Sequence, residues 1–222
     1  MTAPVISVSA ALPPVARKNI LRYLGMGRAE EDPAVAALID ACLPEFALAA
    51  RCQACYMELP VFTKDRVIDF GAMRVENASL AKNLEGCQKA ILFAATLGTQ
   101  IDLQRRRAAV TSPARALVLD AIGSAAIEAF CDQLCSEWEE KYPDLRFRPR
   151  FSPGYGDLPL EFQKKLLEVL DSKRKAGIVL SDALLMIPQK SVSAIVGMGH
   201  TGCTMRFHDC SACSKKDCAF RL

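Results

Sequence analysis

Apolar residues recur at helical spacing in some stretches of this chain and form unbroken runs in others, without a regular alternation of the two. After a loose start, Ala16 to Gly25 predicts a helix, with Ile20, Leu21 and Leu24 in one stripe and Gly25 and Gly27 as the stop. Asp32-Pro33 supplies an N-cap and first helical position, and Val35, Leu38, Ile39 and Cys42 keep the helical period. Pro44 predicts a kink or restart before that helix runs on towards Met57. Val61 to Phe70 reads as extended, Ser79 to Gly86 as a short helix, and Lys89 to Thr96 as a buried strand. Gly98 opens a loop or helix entry, and Ile101 and Leu103 fall in a charged surface helix. Ser112-Pro113 then starts a helix reaching about Glu140, with Leu119, Ile122, Ala126, Phe130 and Leu134 on one face. Its middle, Gly123 to Ala126, is thin enough for a backbone or ligand to approach closely.

Beyond a turn at Tyr142-Pro143-Asp144, Leu145 to Phe151 is extended and Ser152 to Asp157 is a loop. Leu160 to Arg174 is helical, with Leu160, Gln163, Leu167 and Leu170 at helical spacing; Ile178 to Ile187 and Ser191 to Gly197 are strands or strand-helix pieces joined by Pro188. Such a mixture predicts an α+β fold rather than a doubly wound sheet.

Composition narrows the class of protein. The 222 residues carry 28 Lys+Arg against 25 Asp+Glu, a net charge of +3, and 51% are hydrophobic. A chain this long buries a core unaided. The near-balanced charge argues against nucleic acid, with Arg105, Arg106 and Arg107 read as a solvated helix end. No stretch approaches the ~18 apolar residues of a membrane span. Met1 to Pro14 has no basic n-region and is broken by Pro4, Pro13 and Pro14, so a cytoplasmic location is expected. Ten cysteines in such a chain then stay thiols, do redox work or bind metal.

Four of them, Cys203, Cys210, Cys213 and Cys218, form C-x6-C-x2-C-x4-C in the last twenty residues, with His200 and His208 nearby. A two-residue gap lets two thiolates reach one centre, so residues 200–222 are expected to form a metal-binding tail, for zinc or an iron-sulfur cluster. Free or redox-active thiols are the alternative. Cys52-x-x-Cys55 is assigned to a helix end and to packing, and Cys42, Cys87, Cys131 and Cys135 to the core. Arg150-Phe151-Ser152-Pro153-Gly154-Tyr155 offers a fixed positive fork for a carboxylate, a tight turn whose backbone can approach a ligand, and a flat ring with a hydroxyl.

The order of these pieces carries a resemblance. Ile127-Glu128-Ala129-Phe130 on a helix is followed by the Arg150 to Tyr155 loop, by Leu166-Leu167-Glu168-Val169, by Gly177 to Ala183, and by Ile187-Pro188-x-x-Ser191-Val192-Ser193. From about Lys89 to Gly197 this resembles the activation domain of cobalamin-dependent methionine synthase, in its stand-alone form. The resemblance implies a C-shaped fold over residues 1–199, with helices around a twisted, mainly antiparallel sheet. It implies S-adenosylmethionine held by Arg150 at the methionine carboxylate, with Ser152, Gly154 and Tyr155 lining the groove and Glu128 facing it. It further implies part in a methionine synthase reactivation system: docking on the cobalamin domain of methionine synthase or another corrinoid protein, with one electron from a reduced donor such as flavodoxin or ferredoxin. The chain departs from the family after Ser193, where Ala194 to Gly199 replaces an aromatic segment, and the family's early aspartate has no match. Those departures support other readings: a metal-binding or electron-transfer module that kept the fold and lost the ligand, or an adaptor that docks on corrinoid proteins without ligand.

Overall fold

Lys89 to Thr96, apolar from Ala90 to Ala95, occupies the centre of the fold. The computed structural model describes residues 3–27 and 31–200, so Cys203, Cys210, Cys213 and Cys218 lie outside the described residues. In chain order the elements are β1 (Ile6–Ala10), α1 (Arg17–Tyr23), α2 (Pro33–Ala49), β2 (Cys52–Pro60), β3 (Phe62–Lys64), β4 (Val67–Asp69), β5 (Arg74–Glu76), α3 (Ala78–Asn83), β6 (Lys89–Thr96), α4 (Thr99–Thr111), α5 (Pro113–Lys141), β7 (Arg146–Phe147), α6 (Phe162–Val169), α7 (Ser172–Ala176), β8 (Val179–Leu180), β9 (Met186–Ile187) and β10 (Ser191–Gly199). Five strands form one sheet in the order β1-β2-β6-β10-β7, antiparallel at every pairing. The α+β expectation is met.

Sheet pleating divides the core in two. Along β6, Ile91, Phe93 and Ala95 face one apolar layer while Ala90, Leu92 and Ala94 face the other. The first layer is completed by α1, α2, α4 and the 29-residue α5; the second by α3, α6, α7 and the small sheet β3-β4-β5. A central strand covered on both faces needs no polar alternation, which is why β6 and β10 read as continuous apolar runs. Caps at Asp32 and Ser112 are as expected: Asp32 Oδ1 accepts from the N–H of Ala34 at 2.7 Å, and Ser112 Oγ from that of Arg115 at 3.4 Å.

Several boundaries differ from the sequence reading. The helix that opens at Pro33 runs through Pro44 but ends at Ala49, and Cys52 to Pro60 is a strand. Each residue from Gln53 to Pro60 faces a partner on β6, so long-range pairing overrides an apolar run compatible with either period. Cys52 and Cys55, three residues apart in a strand, therefore lie in opposite layers and never meet at one centre. Burial pushes their thiols up to about 11 and about 12. The packing assignment holds; the helix does not. The loose N-terminal stretch contains β1, an edge strand, and Ile101 is buried rather than on the surface. The helix expected over 160–174 is broken at Asp171, which is left-handed at φ 45, ψ 42. Among the described residues no helix is long and apolar enough to cross a membrane.

Candidate functional site

The first-order position of Arg150 follows from the sheet. Past β7 the chain keeps pairing with β10: the Arg148 N–H donates to Gly197 O at 2.7 Å, and Phe151 and Ile195 exchange both backbone hydrogen bonds at 2.9 Å. Phe151 packs into the α3–α6 layer, while the Arg150 side chain meets α5 on the opposite side. There Nη2 donates to Glu128 Oε2 at 2.7 Å, and Nη1 lies 3.0 Å from Asp132 Oδ1. Glu128 and Asp132 are four residues apart on α5, hence on one face. Cys131 and Cys135 flank the same guanidinium. Burial alone would lower the Arg150 pKa, but the charges around it outweigh that and hold it above its ordinary value. Cys135 is itself pushed up to about 11 by burial, against the pull of Arg150.

Next comes the turn. The Tyr155 N–H donates to Ser152 O at 3.0 Å, and the Gly154 N–H to Leu158 O at 2.9 Å. Gly154 sits at φ 90 and Gly156 at φ 55, where a Cβ would stand 2.5 Å from Ser79 Oγ. Asp157 then ties the loop to the start of α3, its Oδ1 accepting from the Ser79 N–H at 2.9 Å and its Oδ2 from that of Ala78 at 3.3 Å. The Tyr155 ring is half exposed and stands edge-on to Phe151, 6.1 Å between centroids.

The opposite wall is the start of β10. Ahead of it, the Gln189 N–H donates to the buried Asp102 carboxylate at 2.8 Å, and Lys190 Nζ donates to Ser124 Oγ at 2.9 Å and pairs with Asp120 at 3.0 Å. The thin middle of α5 is thereby explained: a Cβ on Gly123 would meet Lys190 Cε at 2.9 Å, so the close approach belongs to a lysine stem. Arg105 joins this network through Asp120 at 3.6 Å and Gln189 at 2.9 Å, whereas Arg106 and Arg107 are exposed as expected.

Between these walls lies a groove of about 340 Å³, lined by Glu128, Arg150, Ser152, Tyr155, Gln163 and Ser193 among others. Four of the five expected site residues thus come together around one cavity. Gly154 does not line it; it faces a neighbouring cavity of about 730 Å³ that shares Arg150 and Tyr155. Two polar residues were not singled out as site residues from the sequence. Gln163 is buried, with Nε2 donating to Leu184 O at 3.3 Å and Oε1 accepting from Ser193 Oγ at 3.4 Å. A glutamine in an otherwise apolar helical stripe is the signal that marks it. The one sequence signal available for Asp132 is its four-residue spacing from Glu128. Among the described residues no group of three or more His, Cys, Asp and Glu is arranged to hold a metal ion.

No family model matches the chain, and no curated protein matches it by sequence. Solved structures that share its backbone include the MetH reactivation domain bound to AdoHcy, at a TM-score of 0.69 and 14% identity, covering 93% of this chain and 82% of that one. The protein therefore has the fold of the MetH reactivation domain, as the resemblance implied.

Proposed function

We propose that the protein binds S-adenosylmethionine in the groove beside Arg150 and serves as a reactivation partner for cobalamin-dependent methionine synthase or another corrinoid protein. The observation that supports this most directly is Arg150: a mostly buried guanidinium, carried by the sheet edge to the wall of a groove, in a fold shared with a MetH domain solved with AdoHcy. In this reading Arg150 takes the methionine carboxylate through charge-assisted bonds. Ser152, Gly154 and Tyr155 shape the adjoining turn, and Glu128 places a negative charge near the sulfonium. The chain supplies position rather than a covalent catalyst. One electron from a reduced flavodoxin or ferredoxin and the sulfonium methyl convert cob(II)alamin on the partner to methylcobalamin, leaving S-adenosylhomocysteine. Cys203, Cys210, Cys213 and Cys218 hold one zinc ion or iron-sulfur cluster in a tail that is distinct from the domain over residues 1–199.

Calorimetric titration tests the site. The parent should bind S-adenosylmethionine, and Arg150→Ala should bind about tenfold to a hundredfold more weakly, the loss expected for hydrogen bonds to a charged group. Equal affinity in the two proteins overturns the assignment. A second reading has an observation in its favour: the Arg150 fork is already paired with Glu128 and Asp132. It describes a metal-binding or electron-transfer module that kept the fold and lost the ligand. It predicts no S-adenosylmethionine affinity together with bound metal after anaerobic purification, where a visible spectrum separates a cluster from zinc.

A further inference from the structure

Two carboxylates from one helix claim the Arg150 guanidinium, and they are not equivalent. Glu128 lines the groove and its side chain is 39% exposed; Asp132 stands outside the lining and is 73% exposed. A guanidinium offers its donors in a fixed fork, and a ligand carboxylate gains most when it takes two parallel bonds from one edge. The Nη1–Nη2 edge is divided here, with Nη2 bonded to Glu128 at 2.7 Å and Nη1 beside Asp132 at 3.0 Å. An incoming carboxylate that uses this edge must exchange with one of the two. Asp132 is the easier to release, because its carboxylate is already mostly hydrated and a pair so exposed contributes little. Glu128 is the half-buried member and keeps its bond.

We propose that Asp132 is an affinity- and specificity-determining residue: it fills the Arg150 fork as an internal carboxylate and is exchanged for the carboxylate of the bound ligand. This rests on the groove being the S-adenosylmethionine site. Asp132 acts through Arg150 and is a positioning residue rather than a catalytic one. Its consequence is that ligands bearing a carboxylate bind against an internal competitor, while ligands without one leave the Arg150–Asp132 pair in place.

The test compares the full chain with Asp132→Asn, an exposed and nearly isosteric change, against two thioethers that lack the sulfonium charge. S-adenosylhomocysteine carries the carboxylate and methylthioadenosine does not. The variant should bind S-adenosylhomocysteine about two- to fivefold more tightly and methylthioadenosine unchanged, the range set by an exposed ion pair. Phenylglyoxal labelling, followed at the Arg150 peptide by mass spectrometry with Arg51 as internal reference, should be faster in the variant. Parallel changes for both thioethers, or no change in either affinity, overturn the proposal. If the parent binds neither thioether, the reading of the groove fails on that ground. The labelling rate at Arg150 then decides alone: acceleration keeps Asp132 as the group that fills the fork, and an unchanged rate removes it.

Discussion

Asp157 illustrates how single side chains hold the site loop. Hydrogen bonds from the Ser79 hydroxyl and the Ser79 N–H favour its ionised form and bring its pKa down to about 2 from an ordinary 3.8. A carboxylate whose pKa falls on folding stabilises the folded chain wherever it is charged. That contribution is complete above about pH 4 and is lost as the pH falls to about 2. Asp157→Ala should therefore melt below the parent at neutral pH, and thermal melts from pH 7 to pH 2 should show the gap closing through that window. A gap that stays constant would mean the carboxylate does not fasten the loop to α3. Arg150 was visible in the sequence less through its own turn, which a plain structural role would also explain, than through the order of motifs around it that carries the family resemblance. Its two partners were less visible, since nothing in the spacing of Glu128 and Asp132 says which of the surrounding cations they will meet.

At the scale of elements, the strand β2 carries the clearest lesson. CQACYMELP has no polar alternation, and only its pairing with β1 on one side and β6 on the other makes it a strand. The same pairing sends Cys52 and Cys55 to opposite faces, so the two thiols cannot act as a Cys-x-x-Cys redox pair. Thiol labelling checks this in a variant carrying Cys203→Ala, Cys210→Ala, Cys213→Ala and Cys218→Ala. Cys42, Cys52, Cys55, Cys87 and Cys131 are buried and Cys135 is half-buried. The native variant should react slowly at Cys135 and not at the other five, which become reactive only on unfolding. Rapid native labelling of Cys52 or Cys55 would place β2 elsewhere. Helix starts were easier to read, because Asp32-Pro33 and Ser112-Pro113 act within one turn of themselves. The break between α6 and α7 was hidden, since the apolar stripe from Gln163 to Leu170 continues towards it without interruption and Asp171 simply turns left-handed.

At the scale of the whole molecule, Met198 is the last of the described residues to enter either apolar layer, and β10 ends at Gly199. That exit is four residues beyond Ile195, about 13 Å along the strand from the row that pairs Ile195 with Phe151, the neighbour of Arg150. Deleting residues 201–222 should accordingly leave the far-UV spectrum and the cooperative melt in place while removing the metal proposed for the tail, read by metal analysis on both proteins. Loss of the cooperative melt would mean that the tail is part of the core. By itself the sequence determined what acts locally or through one residue type: the caps, the long α5, the buried run of β6, the α+β class and the arginine before a tight turn. The tertiary structure decided which strands pair, that β2 is one of them, and which carboxylates meet Arg150. The physical reason is the same in each case. Hydrogen-bond ladders and ion pairs between residues tens of positions apart depend on the path of the whole chain, and no local period records it.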